Sequence, residues 1–91
     1  MGVNVRIPTP LRRVTNGQDV VTLECQTMSE CIDVLEDQFP GIKERLLDEQ
    51  GELRHFVNLY LNGEDVRFLS GLETSTKSGD EVSIVPAVAG G

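Results

Sequence analysis

The sequence has no tryptophan, one tyrosine, one histidine and two cysteines. Each shortage excludes something. A lone imidazole, His55, lacks the partners that catalysis needs. It stands beside Phe56 at the start of a strand and reads as a structural or solvent-facing residue. Cys25 and Cys31 are too few for a disulfide framework. They fall on different elements, and no further Cys or His supplies the two ligands a zinc site would still need, so no metal is expected. The simplest context for them is a reduced, cytosolic protein. Cys31 then reads as a small buried thiol, and Cys25 as a strand-end thiol near a helix start. Gly63, Gly71 and Gly79 are scattered among turns, so there is no phosphate-cradling loop. No apolar run approaches the ~20 residues of a membrane span. Met1-Gly2-Val3-Asn4-Val5 lacks the basic and apolar regions of a secretory signal. Arg6 stands where a myristoylation motif wants Ser or Thr. The charge of −7 argues against nucleic acid and anionic membranes as partners. It favours partners with basic docking surfaces.

What remains is one small domain. Its 91 residues are 38 % hydrophobic and 25 % charged, and a chain this short buries about two-thirds of its unfolded surface. Val3-Asn4-Val5-Arg6-Ile7 alternates with period two and predicts a strand with Val3, Val5 and Ile7 inward. Pro8 and Pro10 end it. Asn16-Gly17 marks a turn before a second, antiparallel strand over 20–25. Thr27-Met28-Ser29-Glu30 fits a capping box. Met28, Cys31, Ile32, Leu35 and Phe39 then form one apolar helical stripe. Asp33, Glu36 and Asp37 read as a solvated face rather than paired catalytic carboxylates. Pro40-Gly41 stops the helix, and Ile42 and Leu46 face inward from a further turn or two. Residues 56–61 predict the best central strand, with Val57, Leu59 and Leu61 inward. Asn62-Gly63 is a tight-hairpin signal. Residues 64–68 follow as a short strand or extended edge, with a helical turn over 69–72. The last strand, 81–86, turns Val82 and Ile84 inward and Ser83 and Val85 outward. One amphipathic helix and one mixed sheet, each with one apolar face, make a two-layer α+β domain. Nothing in this pattern assembles nucleophile, base and oxyanion donors, so the chain is not expected to be an enzyme.

The end of the sequence is more specific. Residues 1–86 form the domain, and Ala87, Val88, Ala89, Gly90 and Gly91 form a tail of small residues. At a glycine usage near 7 %, two terminal glycines arise in roughly one chain in 200. Lacking Cβ atoms, Gly90 and Gly91 admit a narrow partner channel from every side. Gly91 would carry the main-chain carboxylate into it. Phe56, Tyr60 and Val85 should stand on the sheet face away from the helix and form a docking surface.

Residues 56–68, Gly71-Leu72 and the run from Ser78 to Gly91 resemble the ubiquitin-like β-grasp sulfur carriers, the ThiS/MoaD family. Residues 7–12 and 41–46 add to the resemblance, which covers nearly the whole chain and is nearest to its CysO-type branch. It implies a β-grasp fold, a mixed sheet on one main helix. It also implies that a ubiquitin-activating-type enzyme uses ATP to adenylate Gly91, with no cofactor bound by the carrier itself. A sulfur donor then leaves a thiocarboxylate there. In that scheme Phe56, Tyr60 and Val85 hold the partner while Ala87 to Gly91 enter it. A cysteine synthase-like client using O-phosphoserine would take the sulfur, and a metalloprotease would trim the carrier–cysteine adduct. Molybdopterin synthase, with this chain as its small subunit, and thiamin thiazole synthesis are alternative clients. A protein modifier joined through Gly91 to lysines begins with the same adenylation. With only Lys43 and Lys77, chains built on itself would be poorly supplied. A binding domain with an inert tail is the third reading.

Overall fold

The structure is a computed structural model and describes residues 2–86. Five strands form one sheet: β1 (Val3–Arg6), β2 (Val20–Leu23), β3 (Val57–Leu61), β4 (Glu64–Asp65) and β5 (Glu81–Pro86), in the order β2-β1-β5-β3-β4. β1 and β5 run parallel, and the other neighbours are antiparallel. The middle strand is therefore β5 rather than β3. β3 still pairs on both sides, but its outer neighbour β4 is only two residues long.

The period-two reading holds on each long strand. Val3, Val5, Val21, Leu23, Val57, Leu59, Val82 and Ile84 are all buried on one face. That face is covered by α1 (Met28–Gln38), whose stripe Met28, Cys31, Ile32 and Leu35 is buried, followed by Phe39. The short helix α2 (Lys43–Leu46) closes one end with Ile42 and Leu46. Each such side chain contributes about 1.5–3 kcal/mol on burial, so the interleaved faces dominate the stability.

Local chemistry sets the boundaries. Thr27 Oγ1 accepts from the Glu30 N–H at 3.1 Å, as a capping residue should. Glu30 does not reach back to Thr27. Its carboxylate accepts from the Gln26 N–H at 2.7 Å, one residue earlier. The helix start is also tied to segment 74–76, through the Met28 N–H to the Thr74 carbonyl and the Thr76 N–H to the Gln26 carbonyl. At the other end, the Glu36 carboxylate accepts from the N–H groups of Lys43 and Gly41. Those two donors, Lys43 first, hold its carboxyl below the usual range.

Two expectations need correction. The cysteines are not free thiols: Cys25 and Cys31 form a disulfide, with Cα atoms 5.2 Å apart. β2 ends at Leu23 and α1 begins at Met28, so the short link folds the first helical turn back over the strand end. That distance lies inside the range a disulfide spans. The stretch 64–68 opens as the expected short edge strand, Glu64–Asp65, but does not stay extended to Phe68. After Asp65 the chain tightens into a 3-10 turn, Val66–Phe68. Val66 is completely buried, and drawing it inward ends the ladder.

Candidate functional site

The outer face of the sheet carries two of the three residues expected to dock a partner, Tyr60 and Val85. Asn58 pairs with Val85 and Tyr60 with Ser83 across β3 and β5, so these four share the face away from α1. Val85 is 41 % exposed and Phe56, one residue before β3, is 50 % exposed. Tyr60 is half-buried between Ser83 and its β4 partner Asp65. Tyr60 and Val85 thus stand on the predicted side, whereas Phe56, in the turn before β3, lines a groove together with the inward residues Val57 and Ile84. Phe56 and Val85 offer apolar area, and Tyr60 sits farther along the strand with less of its ring open.

Arg67, which the sequence did not single out, organises the sheet edge here. Its guanidinium donates to Asn58 Oδ1 at 2.6 Å, to the Val57 carbonyl at 2.8 Å and to the Arg54 carbonyl at 2.9 Å. With β4 so short, the Val57 carbonyl has no edge strand beside it, and Arg67 supplies the missing donors. Past this clamp Phe68 is 88 % exposed and Leu69 is also exposed, which adds apolar surface at the β4 edge.

The far side of the sheet edge is held by Asp80. Its carboxylate is buried and accepts from Asn62 Nδ2 and Lys77 Nζ at 3.1 Å each, and from the Lys77 N–H at 3.0 Å. The Asn62 side chain and then Lys77 hold the Asp80 carboxyl below its ordinary value. Asn62 Oδ1 in turn accepts from the Glu81 N–H at 2.9 Å. Asn62 and Gly63 both have positive φ, 52° and 89°, as the tight hairpin signal requires. The entry to β5 is thereby fixed against the β3–β4 turn.

β5 ends on Pro86, paired with Val57. A groove of about 380 Å³ opens at this point, with Leu11, Phe56, Ile84 and Pro86 among its apolar walls and Arg13, Arg45 and Arg54 around it. Sequence reasoning missed it because its residues come from well-separated segments. A larger open depression of about 780 Å³ lies by Glu36, Lys43, Asp48 and Arg54. Two of the carboxylates that line it are occupied by turns: Glu36 as above, and Asp48 accepting from the N–H groups of Gln50 and Glu52. His55 is exposed. Among the described residues no group of three or more His, Cys, Asp or Glu could hold a metal ion, and no helix is long and apolar enough to cross a membrane. The expected reactive end, Gly91, and the tail Ala87, Val88, Ala89 and Gly90 lie outside the described residues.

A mixed sheet in the order 2-1-5-3-4, its first and last strands parallel at the centre and one main helix across it, defines the ubiquitin-like β-grasp class. The comparisons narrow the class. The chain belongs to the ThiS family, which matches residues 5–91. It is 50 % identical to the sulfur carrier protein CysO of Mycobacterium tuberculosis, over 100 % of both chains. A chain in the crystal structure of the Amycolatopsis orientalis BexX/CysO complex superposes with a TM-score of 0.93 at 49 % identity, covering 99 % of this chain and 100 % of that one. Small archaeal modifier protein 1 of Methanosarcina acetivorans superposes with a TM-score of 0.82 at 33 % identity, covering 98 % of this chain and 95 % of that one.

Proposed function

We propose that this chain is a sulfur carrier whose working atom is the carboxyl carbon of Gly91. The full-length similarity to the sulfur carrier protein CysO carries this reading. The Gly91 carboxylate attacks the α-phosphorus of ATP within an activating enzyme, releasing pyrophosphate and forming an acyl-adenylate. Hydrosulfide attacks the carbonyl carbon, the carbon–oxygen bond to AMP breaks and AMP leaves. A C-terminal thiocarboxylate remains. The carrier contributes position rather than acid–base groups. Phe56, Tyr60 and Val85 bind the partner outside its active site, and Ala87 to Gly91 carry the carboxylate in. Binding energy from the remote face then sets the terminal atom in place.

The sulfur goes to a client enzyme, with a cysteine synthase using O-phosphoserine favoured and a metalloprotease releasing the product from the carrier. A similar Amycolatopsis orientalis chain is found in a BexX/CysO complex, which supports docking to a protein partner as part of the cycle. The use of ATP places these steps in the cytoplasm. The similarity to a small archaeal modifier favours a second reading, conjugation of Gly91 to protein amines.

Intact-protein mass separates the two. Incubation with ATP, the activating enzyme and sulfide should raise the carrier mass by about 16 Da, the difference between sulfur and oxygen in the activated acyl group. Adducts on other proteins and no such gain would favour the modifier. No change of either kind, under conditions where a homologous carrier is converted, would overturn both.

A further inference from the structure

We propose that the groove at the root of the tail is a docking site for an acidic segment of the activating enzyme. The segment would present one apolar side chain flanked by carboxylates. This rests on the sulfur-carrier reading and names where its first partner grips.

The chain holds 15 acidic and 8 basic residues. Arg6, Lys43 and Lys77 are each ion-paired, with Glu81, Asp33 and Asp80. Arg67 is spent on the sheet edge, and Arg12 donates to the Ile7 carbonyl. The other three cations all stand around one groove. Arg54 donates through Nε to the Glu44 carbonyl. Arg13 and Arg45 are exposed, and among the described residues neither is in an ion pair. Glu44 is the groove's one acidic lining residue. A chain with a large excess of carboxylates has thus left three guanidinium-bearing residues around a single apolar floor. Their mutual repulsion is relieved when a partner brings carboxylates, which guanidinium groups grip in bidentate fashion. The whole molecule is acidic and draws partners with basic surfaces. This one spot has the opposite sign, and so fixes orientation as well as attraction.

The floor sets the rest of the partner's chemistry. Leu11 is packed on the core, Ile84 belongs to β5, and Phe56 is half exposed beside them. An apolar side chain entering there would bury the open half of Phe56. Phe56 and Pro86 both line the groove, so it opens at the end of β5. A nucleotide is the other anion to consider. From Pro86, five residues reach at most about 17 Å when extended. A tail threaded straight into a partner would hold a nucleotide reacting at Gly91 up to that far from the arginines, so the proposed anion at the root is a protein carboxylate.

The test is ATP–pyrophosphate exchange by the purified activating enzyme from the same genome, with the carrier as the varied substrate. The variants are Arg13→Glu, Arg45→Glu and the pair. Both side chains are exposed and make no hydrogen bond among the described residues, so the thermal midpoint should be unchanged and is measured alongside. The double variant should raise the carrier KM at least tenfold at low salt and leave kcat within about twofold. The gap between variant and wild type should shrink toward unity in 1 M salt, where the screening length is about 3 Å. Equal KM for variant and wild type at low salt would overturn the groove proposal and leave the carrier reading intact. A fall in kcat at constant KM would also overturn it, because the arginines would then act on the nucleotide. If the wild-type chain itself supports no exchange, the carrier reading fails, and the groove proposal fails with it.

Discussion

Asn62 and Asp80 hold each other across 18 residues of sequence: the Asn62 amide donates to Asp80 Oδ1 at 3.1 Å, and Asn62 Oδ1 accepts from the very next N–H, that of Glu81. The pair locks the β3–β4 turn to the start of the middle strand. Asp80 is the charged member, and its carboxyl titrates below the ordinary value of 3.8 in the folded chain. A carboxyl lowered on folding stabilises at pH values above its unfolded pKa. That contribution is lost as pH falls through the folded value. Asp80→Ala should therefore cost about 2 kcal/mol at neutral pH, the scale for hydrogen bonds to a charged group. It should also flatten the acid limb of the stability profile below pH 3.8. Urea unfolding of both proteins between pH 7 and pH 2 checks this. Parallel acid limbs would show that Asp80 is not the group responsible.

The Cys25–Cys31 bridge closes a short loop, with a sequence separation of 6. Loop-closure entropy for so small a ring gives a stabilisation of about 2 kcal/mol. The bond joins the end of β2 to the first turn of α1, next to Thr76, whose hydroxyl donates to the Cys25 carbonyl at 3.0 Å. Reduction should lower the unfolding free energy from urea titration by that amount and leave the fold in place, since Cys31 remains a buried apolar residue on the helix stripe. Cys25→Ser in the absence of reductant should match the reduced wild type. A variant that is unaffected by substitution while the wild type responds to reductant would contradict the assignment.

The parts of the fold that follow a period were legible in the residues. Val3, Val5 and Ile7, then Val57, Leu59 and Leu61, then Val82 and Ile84 alternate, and each set is buried. The helix stripe and the Asn62-Gly63 hairpin are equally local signals. What was not legible depends on contacts between distant segments. The disulfide needs β2 and α1 to fold back on each other. The early end of β4 needs Val66 to be drawn into the core from a stretch that reads as extended. Arg13, Arg45 and Arg54 come from a loop, a helix and the approach to β3, and no window of sequence places them together. The outward placement of Tyr60 and Val85 was legible because alternation fixes both faces of a strand at once.

Deletion of Gly91 should abolish thiocarboxylate formation and leave stability unchanged. The described core cluster runs from Val3 to Ile84, and Gly91 lies beyond the last strand, β5. Intact mass after activation reads the first effect and the thermal midpoint reads the second. A drop of several degrees in the midpoint would show that the terminus supports the fold, and a thiocarboxylate formed on Gly90 would show that the last residue is dispensable.

Neighbouring positions on β3 give the sharpest contrast between fold and docking. Leu59 is buried against the helix layer, whereas Tyr60 faces outward between Ser83 and Asp65. Leu59→Asp puts a charge into the core without a partner and should unfold the domain at room temperature, since an unpaired buried charge costs more than a small domain has to spare. Tyr60→Asp removes a half-buried ring and adds a carboxylate beside Asp65. It should cost about 1–2 kcal/mol of stability, within the usual span for single substitutions. Its main effect should be on the partner: at least a tenfold rise in the carrier concentration needed for half-maximal activation, from a docking residue lost and a charge added at an apolar contact. Circular dichroism and the ATP–pyrophosphate exchange assay separate the two effects. If Tyr60→Asp folds and activates like the wild type, the outer face of β3 is not the docking surface, and Phe56, Val85 and the groove at Pro86 would have to carry the contact alone.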